Sequence, residues 1–535
     1  MKNVELLDCT LRDGGRIIDC AFSDYQITDL IKKLSDAKVN YIEIGFLRDP
    51  ARKKYEGKGT FFNTVKEIEP FLRQKNGNTQ YVAFVDYGMF DFDTLDPCDG
   101  KSIDGIRVGF TKKNFKEQWE DVKRCFAIVK EKGYKLFIQG VNSLAYSEKE
   151  LKTVLNAVNK IQPVSFGVVD TYGAMFLKDI DHIFALVNDT LLPSIKIDLH
   201  THNNRQMAFA LAQEAIRISG DRRVIIDATL EGMGKCAGNL NLELIVDYLI
   251  QEKHYDFDFD GILDLIDEFT FSFKKTHSWG YSIPAFMGGI YKSHPNNIIY
   301  LTEKFRLGNR DIKNILSMID EETRHTYNYD NIEKKYIEYN SMCVDDGATL
   351  EVLRRRLKGQ TVLVLAPGSS LNKYKGEIDR FIQTEKPHII SVNFLSDYPN
   401  ALSFFANKKR FDVISTSTPS NVIAVSNVKP SKGEMEISYD RLIDRRYRMF
   451  DNSTLMLLNL LKIVGVGKIV LAGFDGYSKR VKNNYFDNTL YNERHESEYK
   501  EINEEVGCRL KDYIATVGDH CQVSFLTPSI YQKYL

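Results

Sequence analysis

The sequence predicts an α/β chain made of an N-terminal (β/α)8 TIM barrel with a helical appendage and a C-terminal Rossmann-like domain. Three observations carry this reading. Eight apolar runs of strand length alternate with helix-length stretches before residue 230, and a shorter alternation of the same kind begins after residue 360. The length, 535 residues, also exceeds what one hydrophobic core usually serves.

The strand candidates are Val4 to Leu7, Ala37 to Gly45, Gln80 to Val85, Gly105 to Gly109, Lys135 to Gly140, Pro163 to Asp170, Ile195 to His200 and Arg223 to Ala228. Eight parallel strands close a barrel, and most intervals between the candidates can hold a crossover helix. One helix is read from its own pattern, since Ile27, Leu30, Ile31 and Leu34 share a face of the segment Gln26 to Leu34. After Asn239 the chain turns helical and aromatic to about residue 350, through Asn241 to Tyr248, Trp279 to Ser282 and His294 to Asn296. This predicts an appendage packed on the barrel.

The expected division is a barrel over 1–265, an appendage and linker over 266–355, and a Rossmann-like domain over 356–535. The boundary is marked by Glu351-Val352-Leu353 and the basic run that follows. Beyond it, Thr361 to Ser370, His388 to Val392, Phe411 to Ser415 and Lys468 to Asp475 read as strands, with a helix over Ser453 to Val464. Fewer strands over a shorter segment favour an open, mostly parallel sheet.

Composition narrows the function. The 72 basic and 73 acidic residues leave a net charge of −1, so there is no broad field to draw nucleic acid or acidic membranes. The clusters Arg354-Arg355-Arg356-Leu357-Lys358 and Arg445-Arg446-Tyr447-Arg448 read as solvated faces. The start, Met1 to Leu6, lacks the apolar segment of a signal peptide, and no uncharged apolar run approaches the ~20 residues that cross a bilayer. Cys9, Cys20, Cys98, Cys125, Cys236, Cys343, Cys508 and Cys521 are dispersed without CxxC spacing. A cytoplasmic protein with reduced thiols and no membrane span is expected.

Chemistry gathers where strands end. Asp13, Glu43, Asp170, His200 and His202 lie at or just past the carboxyl ends of strand candidates, where barrel active sites form, and Asn239 follows the last one. His200 and His202 are two residues apart, so in an extended segment both side chains point to one side. Two imidazoles with a carboxylate suit a divalent metal that keeps positions open for substrate, although such a pair alone also serves a polar surface. Asp13 is the natural partner because Gly14-Gly15 permits a tight reversal beside the strand end; Asp8, inside the strand, competes for the role. Arg12 can neutralise an enolate oxygen, clamp a carboxylate, or make an ordinary salt bridge.

Five ordered segments go further: Asp8-Cys9-Thr10-Leu11-Arg12-Asp13-Gly14-Gly15, Tyr41-Ile42-Glu43-Ile44-Gly45, Asp170-Thr171-Tyr172-Gly173, His200-Thr201-His202-Asn203 and Gly232-Met233-Gly234-Lys235-Cys236-Ala237-Gly238-Asn239. Over roughly residues 1 to 300 they resemble the motifs of the DRE-TIM metallolyase superfamily, nearest to its 4-hydroxy-2-oxovalerate aldolases. The resemblance implies Asp13, His200, His202 and Asn239 as metal ligands, for Mg2+ or Mn2+ with Zn2+ also compatible. It implies Arg12 as the arginine that steadies a pyruvate-type enolate and Glu43 as the residue that organises it. Asp170 is expected at the hydrogen bonding of its strand end or on the substrate, and Tyr281 near a substrate hydroxyl. The implied reaction cleaves or forms a carbon–carbon bond between a 2-oxo acid and an aldehyde, in a homodimer-forming family. An acyl-CoA-dependent condensing transferase, and a nucleotide- or sugar-binding protein with an inactive barrel, are the competing readings.

The sequence departs from the aldolases at Arg16, where they carry a histidine base; a guanidinium cannot take that role near neutrality. Cys236 invites comparison with a loop cysteine of hydroxymethylglutaryl-CoA lyases. In the last domain, Ala366-Pro367-Gly368-Ser369-Ser370 follows an apolar strand and could turn backbone donors to phosphate. With Asp451-Asn452-Ser453 and Leu471 to Gly476, it is similar to the nucleotide-recognising core of sialyltransferase-like and motility-accessory-factor-like proteins. This implies Gly368, Ser369 and Ser370 as contacts for a nucleotide or sugar nucleotide.

Overall fold

The computed structural model describes residues 3–52, 59–73, 75, 77–304, 307–341, 344–414, 421–429, 435–478, 484–487 and 498–535. Its contacts divide the chain into two compact units, Met1–Tyr329 and Asp330–Leu535.

The first unit is the predicted barrel. Its strands are β1 (Val4–Asp8), β2 (Tyr41–Leu47), β3 (Phe61–Phe62), β4 (Gln80–Asp86), β5 (Gly105–Phe110), β6 (Lys135–Gly140), β7 (Ser165–Asp170), β8 (Lys196–Thr201) and β9 (Val224–Ala228). Neighbours run β1-β9-β8-β7-β6-β5-β4-β2, all parallel, and β1 pairs again with β2 to close the ring. The two-residue β3 lies outside the closure, on the end of β2.

The predicted strand at Ala37 begins later, because Ala37 and Lys38 finish the preceding helix, Asp24–Asp36, with Lys38 at a left-handed φ of 65°. That helix starts at a capping box of Ser23 and Gln26 and buries Ile27, Leu30, Ile31 and Leu34 as its pattern predicts. At the far end of β2 the register with β4 shifts between Glu43 and Phe46. Gly45 sits in that shift, and a Cβ there would meet the Thr60 carbonyl oxygen at 2.2 Å. The glycine is required for the incoming chain to lie against the strand end.

Strand periodicity sorts the lumen into layers. Leu7, Tyr41, Phe137 and Ile225 belong to an apolar inner cluster. Two residues further along their strands come Cys9, Glu43, Gln139 and Asp227, and the charged residues of that level meet near the carboxyl ends. Outside the strands a large apolar core packs against the helices. Helices Leu242–Lys253, Phe259–Lys274, Ile283–Tyr291, Pro295–Glu303 and Asn309–Ser317 continue the unit after β9.

The second unit is an open, all-parallel sheet of β10 (Thr361–Leu365), β11 (His388–Val392), β12 (Leu402–Phe405), β13 (Val422–Val425), β14 (Met435–Ile437), β15 (Lys468–Ala472) and β16 (Gln522–Phe525). The order β14-β13-β12-β11-β10-β15-β16 reverses direction between β10 and β15, the switch point of a Rossmann-like sheet. The predicted helix over Ser453–Val464 is present and buried along most of its length. Helix Gly347–Leu357 also falls in this unit, so the predicted linker range is divided between the two, and Arg354 and Arg355 lie exposed in its last turn.

One predicted strand is corrected. Phe411 to Ile414 are helical, in Lys408–Ile414, and Ser415 lies outside the described residues. The Asn407 side chain accepts from the Arg410 amide at 3.2 Å and its carbonyl from the Phe411 amide at 3.0 Å, so the turn is capped before the apolar run begins. Strands β12, β13, β14 and β16 were not among the predicted ones. Cys343 lies outside the described residues; the other seven cysteines are free thiols. Among the described residues no helix is long and apolar enough to cross a membrane.

Candidate metal and active site

The turn after β1 delivers Arg12 and Asp13. The Cys9 carbonyl accepts from the amides of Arg12 at 3.2 Å, Asp13 at 2.8 Å and Gly14 at 3.2 Å, folding the chain back over the strand end. Gly14 and Gly15 are needed here for space, neither having a positive φ. A Cβ on Gly15 would meet the Phe22 ring at 2.8 Å, and one on Gly14 the Met233 carbonyl at 3.3 Å. Asp8 is spent on this turn: it accepts from the Thr10 amide at 3.0 Å and the Thr10 hydroxyl at 2.8 Å. Burial pushes its carboxyl up to about 7.

Asp13, His200 and His202 come together. Asp13 Oδ2 lies 3.9 Å from His200 Nε2 and 3.7 Å from His202 Nε2, and the three donor atoms lie within 4.8 Å of one another. Burial, then the Arg12 charge, holds His200 down to about 4; burial also holds His202 to about 4. Both imidazoles are therefore neutral near pH 7, the form that ligates metal. Burial pushes the Asp13 carboxyl up, but Arg12, the two histidines and Arg16 outweigh it and keep the group well below the usual carboxylate range.

Asn239 reaches the same place through the backbone, forming an isolated bridge with His202. Its Nδ2 donates to the Met233 carbonyl at 2.9 Å, while its Oδ1 is buried and has no hydrogen-bond partner among the described residues. A buried acceptor left unpaired is costly, and a cation would satisfy it. Gly238 makes the loop possible: at φ 74°, its Cβ position lies 1.9 Å from the Gly232 carbonyl. The donor set of one carboxylate and two imidazoles fits a divalent cation. A second grouping, Cys9, His200 and Asp227, fits less well. Burial holds the Cys9 thiol well above its ordinary value, and Asp227 is already engaged by Arg107 and His200.

Arg12 is aimed by its neighbours. Its Nε donates to Glu43 Oε2 at 2.6 Å and its Nη1 to Asp13 Oδ1 at 2.6 Å, with the guanidinium 4.5 Å above the Phe84 ring. Glu43 thus holds the arginine that adjoins the Asp13, His200 and His202 cluster.

Beneath lies a layer that sequence reasoning missed. Arg107, on β5 and fully buried, donates through Nη1 to Glu43 Oε1 at 3.0 Å. Its Nη2 donates to Asp198 Oδ2 at 2.9 Å and Asp227 Oδ2 at 2.6 Å. Asp227 Oδ2 lies 3.0 Å from His200 Nδ1, leaving Nε2 of that ring towards Asp13. Gln139 Nε2 donates to Asp198 Oδ2 at 2.6 Å, and Gly167 leaves room for the amide, since a Cβ there would come within 1.9 Å of Gln139 Oε1. One arginine thereby joins the carboxylate that aims Arg12 to the carboxylate that orients His200. The available signal was a charge flanked by apolar residues inside each run: Arg107 in Gly105 to Gly109, Asp198 in Ile195 to His200 and Asp227 in Arg223 to Ala228.

The other sequence-predicted residues lie differently. Asp170 accepts from the amides of Ala174 at 2.8 Å and Met175 at 3.0 Å, shaping the turn after β7, and burial pushes its carboxyl up to about 6. Tyr281 is 56% exposed, its ring 6.5 Å from that of Phe286. The adjoining Gly280 amide donates to the Cys236 carbonyl at 3.1 Å, and Trp279 Nε1 to the Glu231 carbonyl at 3.0 Å, so this segment docks on the Asn239 loop. Burial pushes the Cys236 thiol up to about 11.

In the second unit, Gly368, Ser369 and Ser370 follow β10 at the switch point. The Ser370 amide donates to Asp475 Oδ2 at 2.8 Å, the Ser369 hydroxyl to the same oxygen at 3.3 Å, and the Ser370 hydroxyl to Asp475 Oδ1. The donors assigned to a phosphate are turned onto this carboxylate. Gly368 packs closely against the same turn, its Cβ position 2.2 Å from the Gly473 carbonyl.

Comparison with known proteins finds similarities to the first unit. An HMGL-like family model matches residues 106–267. The oxaloacetate decarboxylase of Mycobacterium tuberculosis is 26% identical over 260 residues, 48% of this chain and 74% of that protein. The 4-hydroxy-2-oxovalerate aldolase of Chloroflexus aurantiacus is 26% identical over 249 residues, 46% of this chain and 68% of that one. In fold, the chain is similar to the carboxyl transferase domain of Rhizobium etli pyruvate carboxylase, with a TM-score of 0.50, 14% identity, and coverage of 66% of this chain and 64% of the other. The first unit is a closed parallel barrel whose residues 106–267 match the HMGL-like family model, and it is similar in sequence to an oxaloacetate decarboxylase and a 4-hydroxy-2-oxovalerate aldolase.

Proposed function

We propose that the barrel is a divalent-metal-dependent carbon–carbon lyase that works through a pyruvate-type enolate, in the manner of a 4-hydroxy-2-oxo acid aldolase. The observation that carries this reading is the meeting of Asp13, His200 and His202 beside a buried Arg12. Asp13, His200, His202 and Asn239 would hold the cation, Mg2+ or Mn2+ being suited to the oxygen donors, and when bound it would polarise the keto group of a 2-oxo acid. Arg12 supplies fixed positive charge for the developing enolate oxygen, and Glu43 removes its freedom to swing away. A guanidinium offers donors and no acceptor, so a group other than Arg16 accepts the proton of the 4-hydroxyl. With that proton gone, the C3–C4 bond would break and release an aldehyde, reprotonation of the resulting enolate at C3 would yield the 2-oxo acid, and the reverse path would join the two.

The test is incubation of the Mg2+-supplemented protein with a panel of 2-oxo acids and aldehydes, following hydroxy-oxo acid formation and cleavage by NMR. Metal-dependent turnover of at least one pair supports the reading. Acetyl-CoA-dependent condensation in place of aldehyde addition would replace it with a transferase.

A further inference from the structure

The proton acceptor that Arg16 cannot supply has to stand at the mouth of the barrel with an oxygen to spare. Most acids of the site have none. Asp13 Oδ1 accepts from Arg12 and Arg16, and its Oδ2 faces the two histidines. Glu43 gives one oxygen to Arg12 and the other to Arg107, and Asp170 gives one to each of two backbone amides. Asp198 and Asp227 each keep an unpaired oxygen, but in the buried layer beneath.

Asp86, the last residue of β4, stands higher. Val82 belongs to the apolar inner cluster and Phe84 lies under Arg12, so alternation along the strand turns Asp86 to the same side, one level nearer the mouth. The contacts agree. Arg16 Nη2 lies 3.8 Å from Asp86 Oδ2, while Arg16 Nε donates to Asp13 Oδ1 at 3.1 Å. One guanidinium therefore lies between Asp86 and the carboxylate of the metal cluster. Arg48 Nη2 donates to the same Asp86 Oδ2 at 2.8 Å, which fixes the orientation of the carboxyl group. Its Oδ1 accepts no hydrogen bond among the described residues, and 35% of the side chain is exposed. An oxygen held in place yet open to solvent can take a proton from a substrate and pass it to water.

We propose that Asp86 is the general base of the cleavage, its Oδ1 taking the proton of the 4-hydroxyl as the C3–C4 bond breaks. The O–H electron pair becomes the second bond of the aldehyde carbonyl, the C3–C4 pair passes into the enolate, and the proton leaves Asp86 for water. In the condensing direction the same carboxyl returns a proton to the new alkoxide. The inference rests on the enolate-lyase reading.

The test sets two routes to the same enolate against each other on the Mg2+-loaded full chain, with pyruvate release followed by coupled reduction. Cleavage of 4-hydroxy-2-oxo acids of five to seven carbons has a hydroxyl proton to remove. Decarboxylation of oxaloacetate, counted above the rate with Mg2+ alone, has none. Asp86→Asn and Asp86→Ala should each lower cleavage at least about 100-fold, within the usual contribution of a positioned base, and lower decarboxylation less than about threefold. Mn2+ affinity by calorimetry should stay within about threefold of wild type, because Asp86 is no ligand. Cleavage within about threefold of wild type in either variant, a matching loss of both reactions in the two variants, or a larger loss of metal affinity overturns the assignment. Wild-type decarboxylation without cleavage also overturns it and leaves the enolate reading standing; wild-type protein that performs neither reaction rejects the two together.

Discussion

His200 and Asp227 meet at 3.0 Å between Nδ1 and a carboxylate oxygen that Arg107 also holds at 2.6 Å. This contact fixes which nitrogen of His200 faces Asp13, because Nδ1–H donates to the carboxylate and Nε2 is left with its lone pair. Asp227→Asn should weaken Mn2+ binding about 10- to 100-fold, the usual cost of losing such an orienting partner. Competition titration against a metal-sensitive dye measures it; an unchanged affinity would show that Asp227 does not orient the ligand.

Arg107 is the cation that Glu43, Asp198 and Asp227 share, and burial pushes Asp198 up to about 7 even with the arginine present. Arg107→Met should destabilise the barrel by about 3–5 kcal/mol, since it strands buried carboxylates without a counter-charge. Urea unfolding gives the value. Arg107→Lys should recover part of it, because one ammonium cannot repeat the forked contacts to three acids.

Cys236 supplies a pH prediction. Burial raises its thiol from 9.0 to about 11, so the folded state keeps the proton that an unfolded chain would release. The resulting stabilisation is present below pH 9 and is lost as pH rises through 11. Iodoacetamide labelling followed by peptide mass spectrometry should find Cys236 unreactive at pH 8 while the exposed Cys508 reacts, and Cys236→Ser should retain turnover. Rapid labelling of Cys236 at pH 8 would instead mark an activated thiol.

Asp475 takes the donors of the Gly368 to Ser370 turn. A phosphate there would have to displace a carboxylate, so hydrogen exchange over residues 366–371 should not change when CMP or UDP is added to the wild-type protein. Asp475→Asn should lose about 1–3 kcal/mol of stability in the second unit, through weakened charge-assisted bonds. Nucleotide protection of this turn in the wild type would contradict the geometry.

The sequence was most legible where local pattern and chemistry coincide. Apolar runs ending in His200-Thr201-His202 and in Arg12-Asp13 announce both the strand and the site, because parallel barrel strands are buried along their length and turn polar only where they emerge. Arg107, Asp198 and Asp227 were hidden by the same rule, each a charge flanked by apolar residues within a strand, and the two acids lie 91 and 120 residues from the arginine. Nothing local tells an interior ion from a solvent-facing one until the register is known. The segment Phe411 to Ser415 failed for the opposite reason: its short apolar run satisfies strand and helix alike, and the Asn407 cap decides between them. Asp170 illustrates a third case, since its position at a strand end is legible but its commitment to the Ala174 and Met175 amides depends on the turn that follows.

The most direct test of the central claim is deuterium uptake at C3 of pyruvate in D2O, followed by proton NMR with Mg2+ added and removed. The account predicts exchange that requires the metal and falls at least about 100-fold in Arg12→Met, consistent with loss of a fixed charge at the enolate oxygen. Absence of exchange in wild-type protein shown to bind one equivalent of metal would contradict it.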